Sequence, residues 1–103
     1  MHGSELVRRA AILKAMGHPS RLKMLEALQD GEKCPCELQR LVGSDLSTVS
    51  RHLGVLRTAG LVSDEKRGLQ VFYRLRVPCI AGFLDCCDRV ISAAPSGTGS
   101  ESS

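Results

Sequence analysis

The stretch from Asp45 to Arg57 constrains this chain most. At helical spacing Val49, Leu53 and Leu56 share one face, as a helix packed on a core requires. Near its start it carries Ser47, Thr48, Ser50, Arg51 and His52. These are short hydroxyls and planar or cationic donors, the types that reach base edges and phosphates in a DNA groove. Asp45 stands where its carboxylate can accept from the free N–H groups of the first turn. An ordinary amphipathic helix with a solvated polar face fits the same pattern, and the segment alone does not separate the two. Its neighbours do.

Upstream, Glu5 to Met16 reads as a first helix, with Leu6, Ala10 and Leu13 on one stripe. Gly17-His18-Pro19 ends it, since Pro disfavours helix in the residue before it and is welcome in a helix's first turn. His18 reads as a polar residue of that turn rather than a ligand. A second helix follows from Pro19 to Leu28, with Leu22, Leu25 and Leu28 as its apolar ridge, and Asp30-Gly31 stops it. Glu32-Lys33-Cys34 reads as a short extended piece. A third helix covers Pro35 to Val42, and Gly43-Ser44 turns into the Asp45 segment. Two short helices joined by such a turn form the helix-turn-helix pattern.

Downstream, Ala59-Gly60 closes the helix. Residues 61–66 and 69–75 then read as strands around Arg67-Gly68; the second is rich in β-branched and aromatic side chains, and Gly68 can take the positive φ of a tight hairpin. Lys66 and Arg67 make its tip basic. A helix-turn-helix followed at once by such a hairpin is a winged helix. The expected fold is therefore mainly α with a β-hairpin: about five helices plus a two-stranded wing. The net charge of +3 is modest, but between Ser47 and Arg76 six Lys and Arg face only Asp64 and Glu65, an imbalance suited to phosphate contacts.

A fifth helix runs from Pro78 to about Ser92. Cys79, Ile80, Phe83, Leu84, Cys86, Cys87, Val90 and Ile91 fall within an arc of about 160° at 3.6 residues per turn. So wide a stripe on a terminal helix suggests burial against a partner. With the first helix it could build a two-fold interface and present two recognition helices to a palindromic, double-stranded operator. A chain of 103 residues is one domain by expectation, and one this small gains stability from dimerising. Residues 1–92 form that domain; 93–103, with Ser, Gly and Pro and no large apolar group, read as a disordered tail. No run reaches membrane-span length and no signal-peptide core opens the chain, so a soluble, cytoplasmic protein without a membrane partner is expected.

Five cysteines in such a chain argue against a disulfide framework. Cys34 and Cys36 flank the start of the third helix, and two soft sulfurs one residue apart can chelate a thiophilic ion such as As(III), Cd(II) or Zn(II). Trigonal arsenite wants a third sulfur, for which the fifth helix offers candidates. Cys79 and Cys86 are roughly 10 Å apart along that helix and do not easily grip one ion together. The vicinal pair Cys86-Cys87 can bind As(III) or be oxidised. All three also fit as buried small hydrophobes. No Ser/His/Asp set, phosphate-cradling Gly loop or carboxylate pair stands out, so no enzyme is expected. A thiol oxidoreductase or metal carrier would be a remote alternative, lacking both a βαβ pattern and Cys-x-x-Cys.

Across nearly all of residues 5–92 the chain resembles the ArsR/SmtB family of small winged-helix repressors. The landmarks are Leu13-Lys14-Ala15-Met16-Gly17-His18-Pro19-Ser20-Arg21-Leu22, Cys34-Pro35-Cys36-Glu37-Leu38, Ser47-Thr48-Val49-Ser50-Arg51-His52-Leu53 and Ala59-Gly60-Leu61-Val62. The resemblance implies a homodimer built on the first and last helices, bound to its operator and released by an inducer, often a metal or metalloid. It places Ser47, Thr48, Ser50, Arg51 and His52 on DNA, with Lys66 and Arg67 in the wing. Cys34 and Cys36 match the family's thiol pair, but the arsenite type's third cysteine corresponds to Gln39. The last helix has no His for the zinc type's site. The expected inducer is therefore As(III) or Sb(III) ahead of Cd(II) or Zn(II), sensed at Cys34 and Cys36, with no cofactor needed for DNA binding. Thiol oxidation or reactive sulfur at the same cysteines is the alternative trigger.

Overall fold

The computed structural model describes residues 2–93. The order is α1 (His2–Met16), α2 (Pro19–Leu28), α3 (Pro35–Val42), α4 (Leu46–Thr58), β1 (Val62–Arg67), β2 (Gln70–Leu75) and α5 (Ile80–Ala93). The five helices and the hairpin wing are those the sequence pattern anticipates. The segment read as a tail lies outside the described residues from position 94 on, and Ala93 still belongs to α5. Helix α1 begins three residues before the expected Glu5, and α5 starts at Ile80 because Pro78 and Cys79 form a turn.

Each inner helix is closed by local chemistry. His18 caps α2, its Nδ1 accepting from the Ser20 N–H at 3.0 Å, with Pro19 in the first turn. At α3 the Glu37 carboxylate reaches back to the Cys34 N–H at 2.9 Å. Asp45 caps α4 by accepting from the Thr48 N–H at 2.8 Å. At the other end of α4 the Leu61 N–H donates to the Leu56 carbonyl and the Gly60 N–H to that of Arg57. This double bond pattern needs a left-handed residue at Gly60, whose φ is 85°.

These stops aim the apolar faces at one point. Met24, Leu25, Leu38, Val49, Leu53 and Leu56 are fully buried, with Leu28, Leu61 and Val62 beside them. Full burial of such side chains stabilises by about 1.5–3 kcal/mol each. The wing then projects from this core as an antiparallel pair, Val62 opposite Leu75 through Arg67 opposite Gln70. Its two-residue loop is Gly68-Leu69, with Gly68 at φ 64°, the glycine-first pattern of a tight hairpin. Lys33 adds one bridge to the outer side of β2, exchanging both backbone hydrogen bonds with Tyr73 at 2.8 and 3.0 Å. The extended piece before α3 is thereby tied to the wing.

Candidate DNA interface and thiol site

Helix α4 presents its start to solvent. Ser47, Ser50 and Arg51 are exposed and Thr48 is half-buried, while Val49, Leu53 and Leu56 point into the core. Ser47 Oγ donates to Asp45 Oδ1 at 3.1 Å, so one carboxylate orders both the cap and the first hydroxyl. Hydrogen bonds from Thr48 and Ser47 hold the Asp45 carboxyl below its usual range.

His52 departs from the expectation that it shares this outer face. It is 7% exposed and turned inward. Position 52 is three residues after Val49 and one before Leu53, which places it on the buried stripe. Arg21 explains what it does there. From the first turn of α2, Arg21 donates to the Ala15 and Lys14 carbonyls at the end of α1 and approaches His52 Nδ1 at 3.2 Å. Guanidinium nitrogens only donate, so this Nδ1 accepts and the imidazole proton sits on Nε2. The His18 ring lies 4.5 Å from that of His52 between centroids. Burial pushes the His52 pKa down, and His18, Arg21 and Arg51 push it the same way. The sequence landmarks containing His18, Arg21 and His52 thus converge on one internal junction between α1 and the recognition helix.

The wing tip is also less basic than its composition suggests. Arg67 is gripped by Glu32, paired with Glu65 at 2.9 Å and stacked 4.9 Å over the Phe72 ring. These acids raise its pKa further, and Arg67 in turn lowers that of Glu32. Its charge is largely answered within the chain. Lys66 is exposed and makes no ion pair among the described residues. No local sequence signal points to Glu32, which lies 35 positions from its partner.

Cys34 and Cys36 line one small cleft of about 250 Å³ with Pro35. Its remaining walls are Leu46 and Ser50 from the start of α4 and Leu69, Gln70 and Val71 from the wing. The thiol pair therefore sits between the two elements that would face DNA. Both cysteines are unpaired, Cys34 half-buried and Cys36 exposed. Among the described residues no group of three or more His, Cys, Asp or Glu side chains is placed to hold a metal ion. Cys79 and Cys86 are exposed and Cys87 is half-buried, all unpaired and none in the cleft. On α5 only Ile80 is buried, with Leu84 packed against the core; Phe83, Val90 and Ile91 face outward.

Residues 18–64 match the model of the family described as bacterial regulatory proteins of the arsR type. A structure of Rv0081 from Mycobacterium tuberculosis is 34% identical, superposes with a TM-score of 0.73, and the alignment covers 82% of this chain and 85% of that one. The chain belongs to the ArsR family. Other members extend the comparison. The biofilm growth-associated repressor of Xylella fastidiosa is 41% identical over 66 residues, which span 64% of this chain and 58% of that protein's length. The arsenic resistance regulator ArsR1 of Pseudomonas putida is 35% identical over 75 residues, 72% of this chain and 59% of that protein. A homodimeric winged helix-turn-helix DNA-binding domain, Mb0332 of Mycobacterium bovis, has a TM-score of 0.78 at 26% identity, covering 88% of this chain and 84% of that domain. No helix among the described residues of this ArsR-family chain is long and apolar enough to cross a membrane.

Proposed function

We propose that this chain is a homodimeric transcriptional repressor that binds double-stranded operator DNA and is released when Cys34 and Cys36 take a thiophilic ligand. The observation that carries the reading is the shared cleft: the two thiols touch the same space as Leu46 and Ser50 of α4 and Leu69 to Val71 of the wing. A ligand there alters the spacing of wing and recognition helix within one subunit. Ser47, Thr48, Ser50 and Arg51 read the operator, with Lys66 as the wing's phosphate contact. His52 and Arg67 act from behind, by orienting α4 and the wing. The outward faces of α1 and α5 pair two subunits, so a palindromic operator follows from two-fold symmetry. A coupling of roughly 1–3 kcal/mol suffices for release.

Trivalent arsenic or antimony is the favoured inducer class, ahead of cadmium and zinc, because two sulfurs are one short of a trigonal set but two short of a tetrahedral one. The name of the Pseudomonas putida relative points the same way. Oxidation of the thiols is the second reading, favoured by five cysteines that all stand unpaired. Fluorescence anisotropy on DNA from the protein's own promoter tests both, titrating arsenite, antimonite, cadmium, zinc, diamide and polysulfide into wild type and Cys34→Ser/Cys36→Ser. Release by arsenite or antimonite that is lost in the variant supports the first reading. Release by diamide or polysulfide alone replaces it with the second, and indifference to all six overturns both.

A further inference from the structure

An open groove of about 830 Å³ lies between the end of α1 and α4, and it shares no residue with the thiol cleft. Its volume is that of a small-molecule site. Apart from the Thr58 hydroxyl its uncharged lining is apolar: Ala11 and Ala15 of α1, Gly54 and Val55 of α4, and Ala59 at the end of α4. Its charged lining is all of one sign, Lys14, Arg21, Arg51 and Arg57, with no carboxylate among them. Two of these cations are already engaged. Arg21 serves the Ala15 and Lys14 carbonyls and His52, and Arg57 lies 3.9 Å from Asp64. Lys14 and Arg51 are exposed and make no ion pair among the described residues. Gly54 is a separate observation. Glycine weakens a helix interior, and here it takes no left-handed φ and relieves no close approach, since a Cβ at this position meets nothing within 4 Å. Its missing side chain leaves space in the groove.

We propose that this groove binds a small amphipathic organic anion, a carboxylate on an apolar body, and that the bound anion competes with operator DNA. Charge complementarity selects the head group. Lys14 and Arg51 bring two unanswered positive charges from two different helices, and a carboxylate accepts well from a guanidinium fork. The apolar lining selects the body. From Arg51 to Thr58 the groove follows α4 for seven residues, roughly 10 Å along its axis, which is the reach of a medium-length hydrocarbon chain. The stems of the cations are themselves aliphatic and add to that lining while their heads stay in water. A DNA phosphate answers the cations but leaves the apolar lining uncovered, so an amphiphile fits the whole groove better. Arg51 is also read as an operator contact, so anion and operator draw on the same guanidinium. The competition rests on that DNA-binding reading; the binding of the anion does not.

The test titrates decanoate, decanol and acetate into the full chain without DNA, by isothermal titration calorimetry. Decanoate should bind once per subunit. Decanol, which lacks the charge, and acetate, which lacks the body, should each bind at least about tenfold more weakly. Gly54→Leu places a side chain in the open groove and Lys14→Glu reverses one of its charges. Each should weaken decanoate by about tenfold or more, while Lys23→Glu, outside the groove, leaves it unchanged. Circular dichroism confirms that the variants fold. Fluorescence anisotropy should then show operator released over the range in which decanoate binds. Acetate or decanol binding as tightly as decanoate overturns the proposal, as does decanoate binding that neither groove substitution moves. It also falls if no probe binds. Should Gly54→Leu then halve the mass in analytical ultracentrifugation, the groove belongs to a second copy of the chain. Decanoate that binds while operator affinity holds overturns the competition. A chain that takes decanoate but has no operator affinity of its own keeps the anion site and loses the DNA-binding reading.

Discussion

The inner helices and the terminal helices of this chain use apolar residues in opposite ways. Helices α2, α3 and α4 supply most of the buried core, with Leu25, Leu38 and Leu53 wholly hidden, and expose only Leu41, Leu46 and Val55 among their large apolar side chains. Helices α1 and α5 expose more: Leu6, Val7 and Leu13 on one, and Phe83, Val90 and Ile91 on the other, all face solvent. On α5, Phe83 and Val90 are one heptad apart, a spacing that suits a seam with another helix. On the proposed reading, the centre of the chain builds the DNA-reading head and the exposed apolar faces of its first and last helices receive a second copy. Arg21 joins the two, holding the end of α1 to the back of the recognition helix.

The comparison can be broken most sharply in the core. Leu53→Ala should destabilise the fold by about 2–5 kcal/mol, and thermal unfolding would show it as a fall in Tm of roughly 10 °C or more. The contrasting variant is Val90→Asp/Ile91→Asp. It should keep its helical circular dichroism while analytical ultracentrifugation shows half the mass and operator affinity drops. If it unfolds as Leu53→Ala does, the two regions are not distinct.

Arg21→Ala probes the junction. It leaves the Ala15 carbonyl and His52 Nδ1 without their donor, at a cost of about 1–3 kcal/mol. Operator affinity should fall more than in an exposed control such as Lys23→Ala. A loss of Tm with unchanged affinity would reduce Arg21 to a packing role.

A smaller effect should appear with acid. Burial and the neighbouring positive charges depress the pKa of His52 in the folded chain. Between the folded and unfolded values the unfolded chain binds the proton and the folded chain does not, so stability rises with pH there. It is fully present above the unfolded value of about 6.5 and declines as pH falls below it. Tm measured from pH 8 to 5 should show that decline, and His52→Asn should flatten it. A profile unchanged by the substitution would count against the buried-imidazole account. The smallest change belongs to Glu32→Gln, since an exposed ion pair contributes little to stability. Its signature should be a more mobile wing in NMR relaxation rather than a lower Tm.

Much of the fold was legible because the local signals agree. His18-Pro19, Cys34-Pro35 and Asp45 mark three helix starts that the structure keeps, and Asp45 makes the cap its position suggests. Lys33 was legible as an extended residue, though its partner Tyr73 lies 40 positions away and only the fold supplies it. The site was less legible. His52 shares its residue type with groove-facing donors, although its helical position puts it with the buried Val49 and Leu53. Arg67 reads as free tip charge in the sequence because nothing near it announces Glu32. Cys34 and Cys36 are evident as a pair, but the residues that share their cleft come from two other segments, the start of α4 and the wing, which meet them only in three dimensions.

A hairpin projecting from a small domain offers two rows of backbone hydrogen-bonding groups that another chain could pair with. Here β1 carries Asp64, Glu65, Lys66 and Arg67 in succession, and charged edge strands repel such pairing. On β2 the Lys33 bridge already occupies part of the opposite edge. Both edges of the wing are thus guarded against pairing with another strand, β1 by its run of charges and β2 in part by the bridge.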